Sequence, residues 1–197
     1  MERAVLIPAV IRRIQKEAPG FKLKIVQSML QGHRQLSESA CDILLSPVHA
    51  ESESLYRQKI LEDRYVCVVD ADNPLVNKKL TLDQYRQCRH IAVTYDGGWR
   101  PLYMDAADAH GVKLRIAVEM PSSDNLPGSV EGTDLILTLP STLTHNLGDK
   151  VRILECPFDT KVTIYQFWTA RTHKSPAHKW VRRLINEEAR NLRHMVI

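Results

Sequence analysis

Leu61-Glu62-Asp63-Arg64-Tyr65-Val66-Cys67-Val68-Val69 decides the fold, because this stretch ends in an apolar run rich in β-branched residues. Two further runs share its character: Thr133-Asp134-Leu135-Ile136-Leu137-Thr138-Leu139-Pro140 and Ile164-Tyr165-Gln166-Phe167-Trp168. Such runs are typical of buried strands, and helical patterns alternate with them, which predicts an α/β fold. The first and third runs predict two crossover hinge strands between two lobes, with a ligand cleft between the lobes.

Weaker patterns predict the remaining elements. Apolar residues at helical spacing predict a long amphipathic helix that begins at Pro176 and runs through Arg193. Alternation over residues 21–26 predicts a half-exposed edge strand. The hydroxyl of Thr81 predicts an N-cap, and Gly132 is placed to end a helix that reaches from about 124 to 131.

Composition bounds the class of protein. The 197 residues, 44% hydrophobic and 25% charged, suffice for one large domain or two small lobes with a real core. The net charge of +4 is spread along the chain, so we expect no DNA-binding surface on this chain itself. The sequence contains no signal-peptide pattern and no apolar run of about 18 residues, which predicts a cytoplasmic protein without a membrane span.

The sequence contains no pattern typical of a catalytic, metal or cofactor site. The cysteines (Cys41, Cys67, Cys88 and Cys156) form no CxxC pair, and three of them, Cys41, Cys67 and Cys156, lie in or beside apolar strands as small buried hydrophobes would. The histidines lack metal-ligand spacing. G-x-S-x-G, the P-loop and G-x-G-x-x-G are all absent, so we predict no catalytic residue, no metal and no cofactor.

Short motifs along the whole chain support a more specific assignment. They lie at residues 6–19, which begin with Leu6-Ile7-Pro8 and end with Ala18-Pro19, and at residues 40–45, 61–68, 72–75, 132–140, 167–168 and 176–182. In order and spacing they resemble the effector-binding domain of LysR-type transcriptional regulators, in the branch that includes nodulation and aromatic-catabolism regulators.

The resemblance implies a type 2 periplasmic-binding-protein-like fold with two α/β subdomains. It places subdomain one at 1–68 plus 168–197, subdomain two at 69–167, and a small-molecule effector in the cleft between them. It also implies that DNA is bound only through an upstream helix-turn-helix, which this sequence does not contain. The family pairs such domains side by side, so a homodimer or higher homo-oligomer is expected.

The loop Tyr95-Asp96-Gly97-Gly98 leads into a helix near Arg100 and is the first candidate for effector contact. A helix N-terminus offers unpaired N–H groups to a carboxylate, and Arg100 offers a bidentate cation. A plain strand–helix turn and a solvated arginine are the alternatives. Only the fold implied by the resemblance places this loop, with Tyr95, Gly97, Gly98 and Arg100, at the cleft.

Four more segments complete the predicted effector site. Ser122 and Ser123 precede a helix and offer hydroxyls, with simple N-capping as the alternative. Alignment with the family places Ser28, Met29 and Leu30 on the cleft side of subdomain one. Thr138 ends a strand, which is the usual ligand side of an open α/β sheet. Trp168 lies in the second hinge strand, where core packing is the alternative role.

Two classes of function follow. The first is a regulatory sensor, in which a small organic effector, such as an aromatic acid, controls DNA binding and transcription by the full-length protein. The second is a free-standing solute-binding protein or a cleft enzyme on the same fold, such as a prephenate-dehydratase-like or phosphoribosyltransferase-like module.

Overall fold

The computed structural model describes residues 5–26, 31–47, 54–74, 79–94, 100–120, 126–145 and 147–193. The chain divides into two compact units, Met1–Glu62 with Thr163–Ile197 and Asp63–Val162, which we call the first and second units. The predicted subdomain limits, 1–68 plus 168–197 and 69–167, stay a prediction, as does the effector cleft between the subdomains.

Helices and strands alternate along the described residues, as the sequence predicts. The helices are α1 (Ile7–Glu17), α2 (Gly32–Ser37), α3 (Leu82–Gln87), α4 (Leu102–Ala109), α5 (Ala170–His173) and α6 (Pro176–Arg193), with 3-10 helices at Leu126–Ser129 and Ser141–Thr144. The strands are β1 (Leu44–Ser46), β2 (Leu55–Asp70), β3 (Arg89–Val93), β4 (Arg115–Met120), β5 (Leu135–Pro140), β6 (Val151–Glu155) and β7 (Lys161–Thr169). The long helix predicted from Pro176 is confirmed.

The first unit packs α1 against α6 and carries a small sheet. Val10 and Ile14 bury the inner face of α1. On its outer face Arg13 makes ion pairs with Glu187 at 2.6 Å and Glu188 at 2.9 Å, which join α1 to α6. Strand β1 runs antiparallel to β7, with Leu44 opposite Phe167, and β7 lies next to β2 in the strand order.

The second unit is built on a sheet in the order β6-β2-β5-β3-β4. Strand β2 is antiparallel to both β5 and β6, whereas β3 is parallel to β5 and β4. Val66 and Val68 face one core with Leu137 and Leu139, while Cys67 faces the other side of the sheet. Because both faces are covered there, residues 65–69 of β2 and 135–139 of β5 are apolar almost without interruption.

Strands β2 and β7 each begin in one unit and end in the other. This confirms the prediction of two crossover strands, and the α/β fold class is confirmed with it. One further local prediction is confirmed, since Thr81 caps α3 in a reciprocal capping box with Gln84. Gly132 has a left-handed φ of +68°, but the helix before it ends at Ser129, so its predicted role as a helix C-cap is wrong.

Two predicted elements are wrong. Residues 21–26 form no strand, and Leu23, Ile25 and Val26 are 38–46% exposed. A strand needs a partner for its backbone groups, and none of the described strands pairs with this segment. In place of the helix predicted to reach Glu131, a 3-10 helix spans Leu126–Ser129. Pro127 and Gly128 explain its shortness, since both disfavour the interior of an α-helix.

Asp63 is a buried carboxylate, 6% exposed, at the start of the second unit. One oxygen accepts hydrogen bonds from the Ser141 hydroxyl at 2.6 Å and the Arg64 N–H at 2.7 Å. The other accepts from the Thr142 N–H at 2.9 Å and its hydroxyl at 2.7 Å. All of these partners are neutral donors. Those on Ser141 and Thr142 fasten β2 to the turn that follows β5.

We expect Asp63→Asn to destabilise the protein. The substitution replaces one acceptor oxygen by an NH₂ group that faces two donors, and unsatisfied buried donors cost about 1–3 kcal/mol each. The free energy of unfolding should fall by about 2–4 kcal/mol in urea titrations.

Asp83→Asn is the matched control, because the Asp83 side chain is 82% exposed and pairs with the neighbouring Arg86 at the surface. A surface change of this kind should alter the free energy of unfolding by less than about 0.5 kcal/mol. Equal stability losses in the two variants would contradict the role given to Asp63.

Candidate functional site

Most of the predicted effector residues lie outside the described residues. They are Ser28, Met29, Leu30, Tyr95, Gly97, Gly98, Ser122 and Ser123. The structure describes the other three, Arg100, Thr138 and Trp168. Arg100 and Thr138 belong to the second unit, and Trp168 belongs to the first.

Arg100 precedes α4 and already has anionic partners on that helix. Its guanidinium donates to Asp108 at 2.9 Å and to Asp105 at 3.3 Å, and its side chain is 51% exposed. The Asp108 carboxylate raises the pKa of Arg100. The side chain is therefore a charged, exposed group held at the N-terminal end of α4, and its pairs are of the exposed kind that contribute little to stability.

Thr138 is almost fully buried, at 4% exposure, on the face of β5 that it shares with Cys67. Its Oγ1 lies 2.9 Å from the hydroxyl of Tyr85 and 3.6 Å from the sulfur of Cys67. The hydroxyl of Thr138 is therefore engaged inside the second unit. Tyr85 is itself fully buried, and its ring packs edge-on against His90 and Phe158.

Trp168 lies in an aromatic stack within the first unit. Tyr56 stacks on its ring at 5.8 Å and the Arg182 guanidinium covers it at 4.5 Å. Its indole N–H donates to the Nδ1 of His173 at 3.1 Å. Trp168 is 8% exposed, so these contacts match the core-packing alternative that the sequence left open.

A pocket of about 430 Å³ lies wholly within the second unit, lined by residues 64–65, 79–82 and 155–160. Leu80 and Phe158 contribute buried apolar walls, and Arg64 and Lys79 contribute cations. Arg64 lies 3.6 Å from the carboxylate of Glu155. Cys156 also lines the pocket and is only partly buried.

Behind the pocket, Cys156 forms a thiol pair with Cys67. Cys67 is completely buried, and burial raises the pKa of its thiol. It therefore stays protonated and donates a hydrogen bond that, with the N–H of Phe158, lowers the pKa of Cys156.

The sequence patterns did not predict this thiol pair, because Cys67 and Cys156 lie in separate segments of the chain. Cys67 is buried as predicted, but Cys41 and Cys156 are only partly buried, so that part of the prediction is wrong. The signal that finds the pair is the β2–β6 register, which sets Cys67 opposite Leu154, two residues before Cys156.

Two kinds of feature are absent from the described part of the chain. No group of three or more His, Cys, Asp or Glu side chains there is arranged to hold a metal ion. Within the same residues, no helix has the length and apolar character needed to span a bilayer.

Comparison with known sequences shows which protein family this chain resembles. The profile described as LysR substrate binding domain matches residues 3–190. Nodulation protein D 1 of Sinorhizobium fredii is 28% identical over 191 residues, which cover 94% of this chain and 59% of that protein. The chain thus spans about three fifths of the length of this curated relative.

Solved structures share the fold. The regulatory domain of MexT, a transcriptional activator in Pseudomonas aeruginosa, superposes with a TM-score of 0.80 at 23% identity, covering 95% of this chain and 92% of that one. The CcmR regulatory domain of Synechocystis, solved in complex with 2-PG, superposes with a TM-score of 0.78 at 18% identity, covering 94% and 91%. These likenesses confirm the predicted fold.

The Tyr85–Thr138 hydrogen bond can be measured with a double-mutant cycle. Thr138→Val keeps the shape of the side chain but leaves the buried Tyr85 hydroxyl without this partner, which should cost about 1–3 kcal/mol. In the combination with Tyr85→Phe both partners are gone. The double variant should therefore lose about 1 kcal/mol less stability than the sum of the single losses.

Tyr56→Phe serves as the control, since Tyr56 is 42% exposed and its hydroxyl is not part of this cluster. Its free energy of unfolding should stay within about 0.5 kcal/mol of the parent chain. Strict additivity in the cycle would show that the Thr138 hydroxyl is not engaged by Tyr85.

Proposed function

Because the chain belongs to the LysR substrate-binding domain family, we propose that it is the ligand-sensing domain of a transcriptional regulator. A small organic effector binds to it and controls DNA binding by a helix-turn-helix that lies outside this sequence. The family match over residues 3–190 carries the proposal. The fold shared with regulatory domains of transcriptional regulators supports it.

Ligand sensing of this kind needs two states of the domain with different affinities for the effector. An effector shifts their equilibrium only by the difference between the two affinities, and a change from 1:99 to 99:1 requires about 5.5 kcal/mol of preference. The two crossover strands β2 and β7 support such a device, because they are the two places where the chain passes from one unit to the other.

The effector class we propose is a small organic acid. CcmR, a relative in fold, holds the small ligand 2-PG in its regulatory domain, and we extend small-ligand binding, though not that ligand, to this chain. Arg100 is the described residue of the predicted effector site that suits an acid. It is exposed and cationic, and an effector carboxylate can exchange with the surface carboxylates that now pair with it.

We further propose that the effector is released unchanged, so that the chain is not an enzyme. The family match to a regulator's binding domain supports this reading over a cleft enzyme or a free-standing solute-binding protein. A protein that controls transcription acts where the DNA is, so the proposed location is the cytoplasm. The proposed assembly is a homodimer or higher homo-oligomer, as the resemblance implies.

The effector proposal can be tested by a thermal-shift screen of small aromatic and aliphatic organic acids, followed by calorimetric titration of the hits. A ligand that binds only the folded protein at 100 times its Kd adds about 2.7 kcal/mol of stability. For an acidic hit, Arg100→Gln should weaken binding by about tenfold or more through the loss of charge-assisted hydrogen bonds. Chromatography of the recovered ligand should show no turnover.

Arg86→Gln is the matched control, because Arg86 is 48% exposed, lies in the same unit and pairs with a helix carboxylate as Arg100 does. Its affinity for the hit should equal that of the parent chain. An equal loss in both variants would contradict a binding role for Arg100, and conversion of the ligand would contradict the sensor.

The DNA-binding part of the proposal has a separate test. The chain alone, with a net charge of +4 and no helix-turn-helix in its sequence, should give no sequence-specific band in a gel shift at physiological salt. A tight complex that discriminates between DNA sequences would place DNA recognition on this chain and overturn the assignment of that role to another segment.

A further inference from the structure

The side chains of Cys67 and Cys156 meet because of strand register. In the antiparallel β2–β6 pair Cys67 is opposite Leu154, and Cys156 is the first residue after β6, so the alternation of the strand sets Cys156 diagonally across from Cys67 on the same face of the sheet. Such diagonal neighbours have Cα atoms about 7–8 Å apart, beyond the usual span of a disulfide. The geometry therefore favours a thiol–thiol hydrogen bond over a covalent bridge.

The two thiols have opposite surroundings. Cys67 is completely buried beside Thr138, whereas Cys156 is partly exposed and lines the pocket of about 430 Å³. The buried thiol donates to the sulfur of Cys156, and the N–H of Phe158 donates to it as well. Both donors stabilise the thiolate, which is the nucleophilic form of cysteine.

The pocket also offers groups that suit an unsaturated carbonyl compound. Leu80 and Phe158 supply an apolar wall for a carbon skeleton, and Lys79 and Arg64 line the same space. A cation near a carbonyl oxygen stabilises the negative charge that develops there when a nucleophile adds to the conjugated double bond.

From this arrangement we propose that Cys156 is a covalent modification site that captures small α,β-unsaturated carbonyl compounds, with Cys67 as its positioning residue. The Cys156 thiolate forms a carbon–sulfur bond to the β-carbon as the carbon–carbon π bond breaks. The resulting enolate takes a proton from water at the α-carbon. The product is a thioether with no leaving group and no net oxidation or reduction. The site belongs to the second unit alone and stands independently of the proposed regulatory function.

N-ethylmaleimide is the probe for a direct test on the whole 197-residue chain. Trypsin releases the four cysteines in separate peptides, with Cys156 between Arg152 and Lys161, so mass spectrometry gives four labelling rates. Cys41 is the internal control. It is a partly buried free thiol like Cys156, but burial and the Asp42 carboxylate raise the pKa of Cys41.

At pH 7 Cys156 should react at least about fivefold faster than Cys41, because thiolate fraction dominates over the lower nucleophilicity of a more acidic thiol. Its rate should reach half of its maximum at a lower pH than that of Cys41. A Cys41 rate equal to or above that of Cys156 would overturn the proposal. Labelling of all four cysteines at one rate would also overturn it, since that is reaction through global unfolding.

The positioning role of Cys67 is tested by two substitutions. Cys67→Ala removes the donor and should move the pH midpoint of Cys156 labelling upward, whereas Cys67→Ser retains a donor and should restore the parent profile. Cys88→Ala, at another buried free cysteine, is the control for cavity effects and should leave the profile unchanged. An identical Cys156 midpoint in folded Cys67→Ala and in the parent chain would refute the role of Cys67.

Discussion

Strand β2 must keep its polar groups paired over sixteen residues while it passes from one compact unit into the other. Its second half is central in a sheet, with β5 on one side and β6 on the other, so backbone pairing is supplied there by two neighbours. Asp63 stands where this half begins. Its carboxylate accepts four hydrogen bonds, and the three from Ser141 and Thr142 fix the strand against the turn after β5. Buried carboxylates are tolerated only when they are satisfied in this way.

Those parts of the fold that depend on local composition could be predicted from the sequence. The apolar runs in the second half of β2 and in β5 are recognisable because a strand covered on both faces has a continuous apolar sequence, and the run in β7 is recognisable from its β-branched and aromatic residues. The capping box at Thr81 is equally local. The segment 21–26 shows what local composition does not determine. Its alternation is that of a strand, but pairing depends on a partner that the local pattern does not specify.

The candidate site was harder to predict, because its groups meet only through register. Thr138 was chosen for its place near the end of a strand, yet its hydroxyl is engaged by Tyr85, a residue whose role depends on how α3 packs over the sheet. Arg100 was chosen for its charge, and the structure adds the two carboxylates of α4 that pair with it. Cys67 and Cys156 are far apart in the sequence, so the sequence alone does not reveal their contact. The pairing of β2 with β6 brings them together.

These observations separate two kinds of polar group in the second unit. Asp63, Tyr85 and Thr138 are buried groups with partners inside the protein, so their removal affects stability. Cys156 also has internal donors, but this residue lines the pocket and is only partly buried, so an outside molecule can reach it. A hydrogen bond from a buried neighbour then acts differently in the two cases. It fixes structure where the acceptor is enclosed, and it sets the acidity, and therefore the reactivity, of an acceptor that faces the pocket.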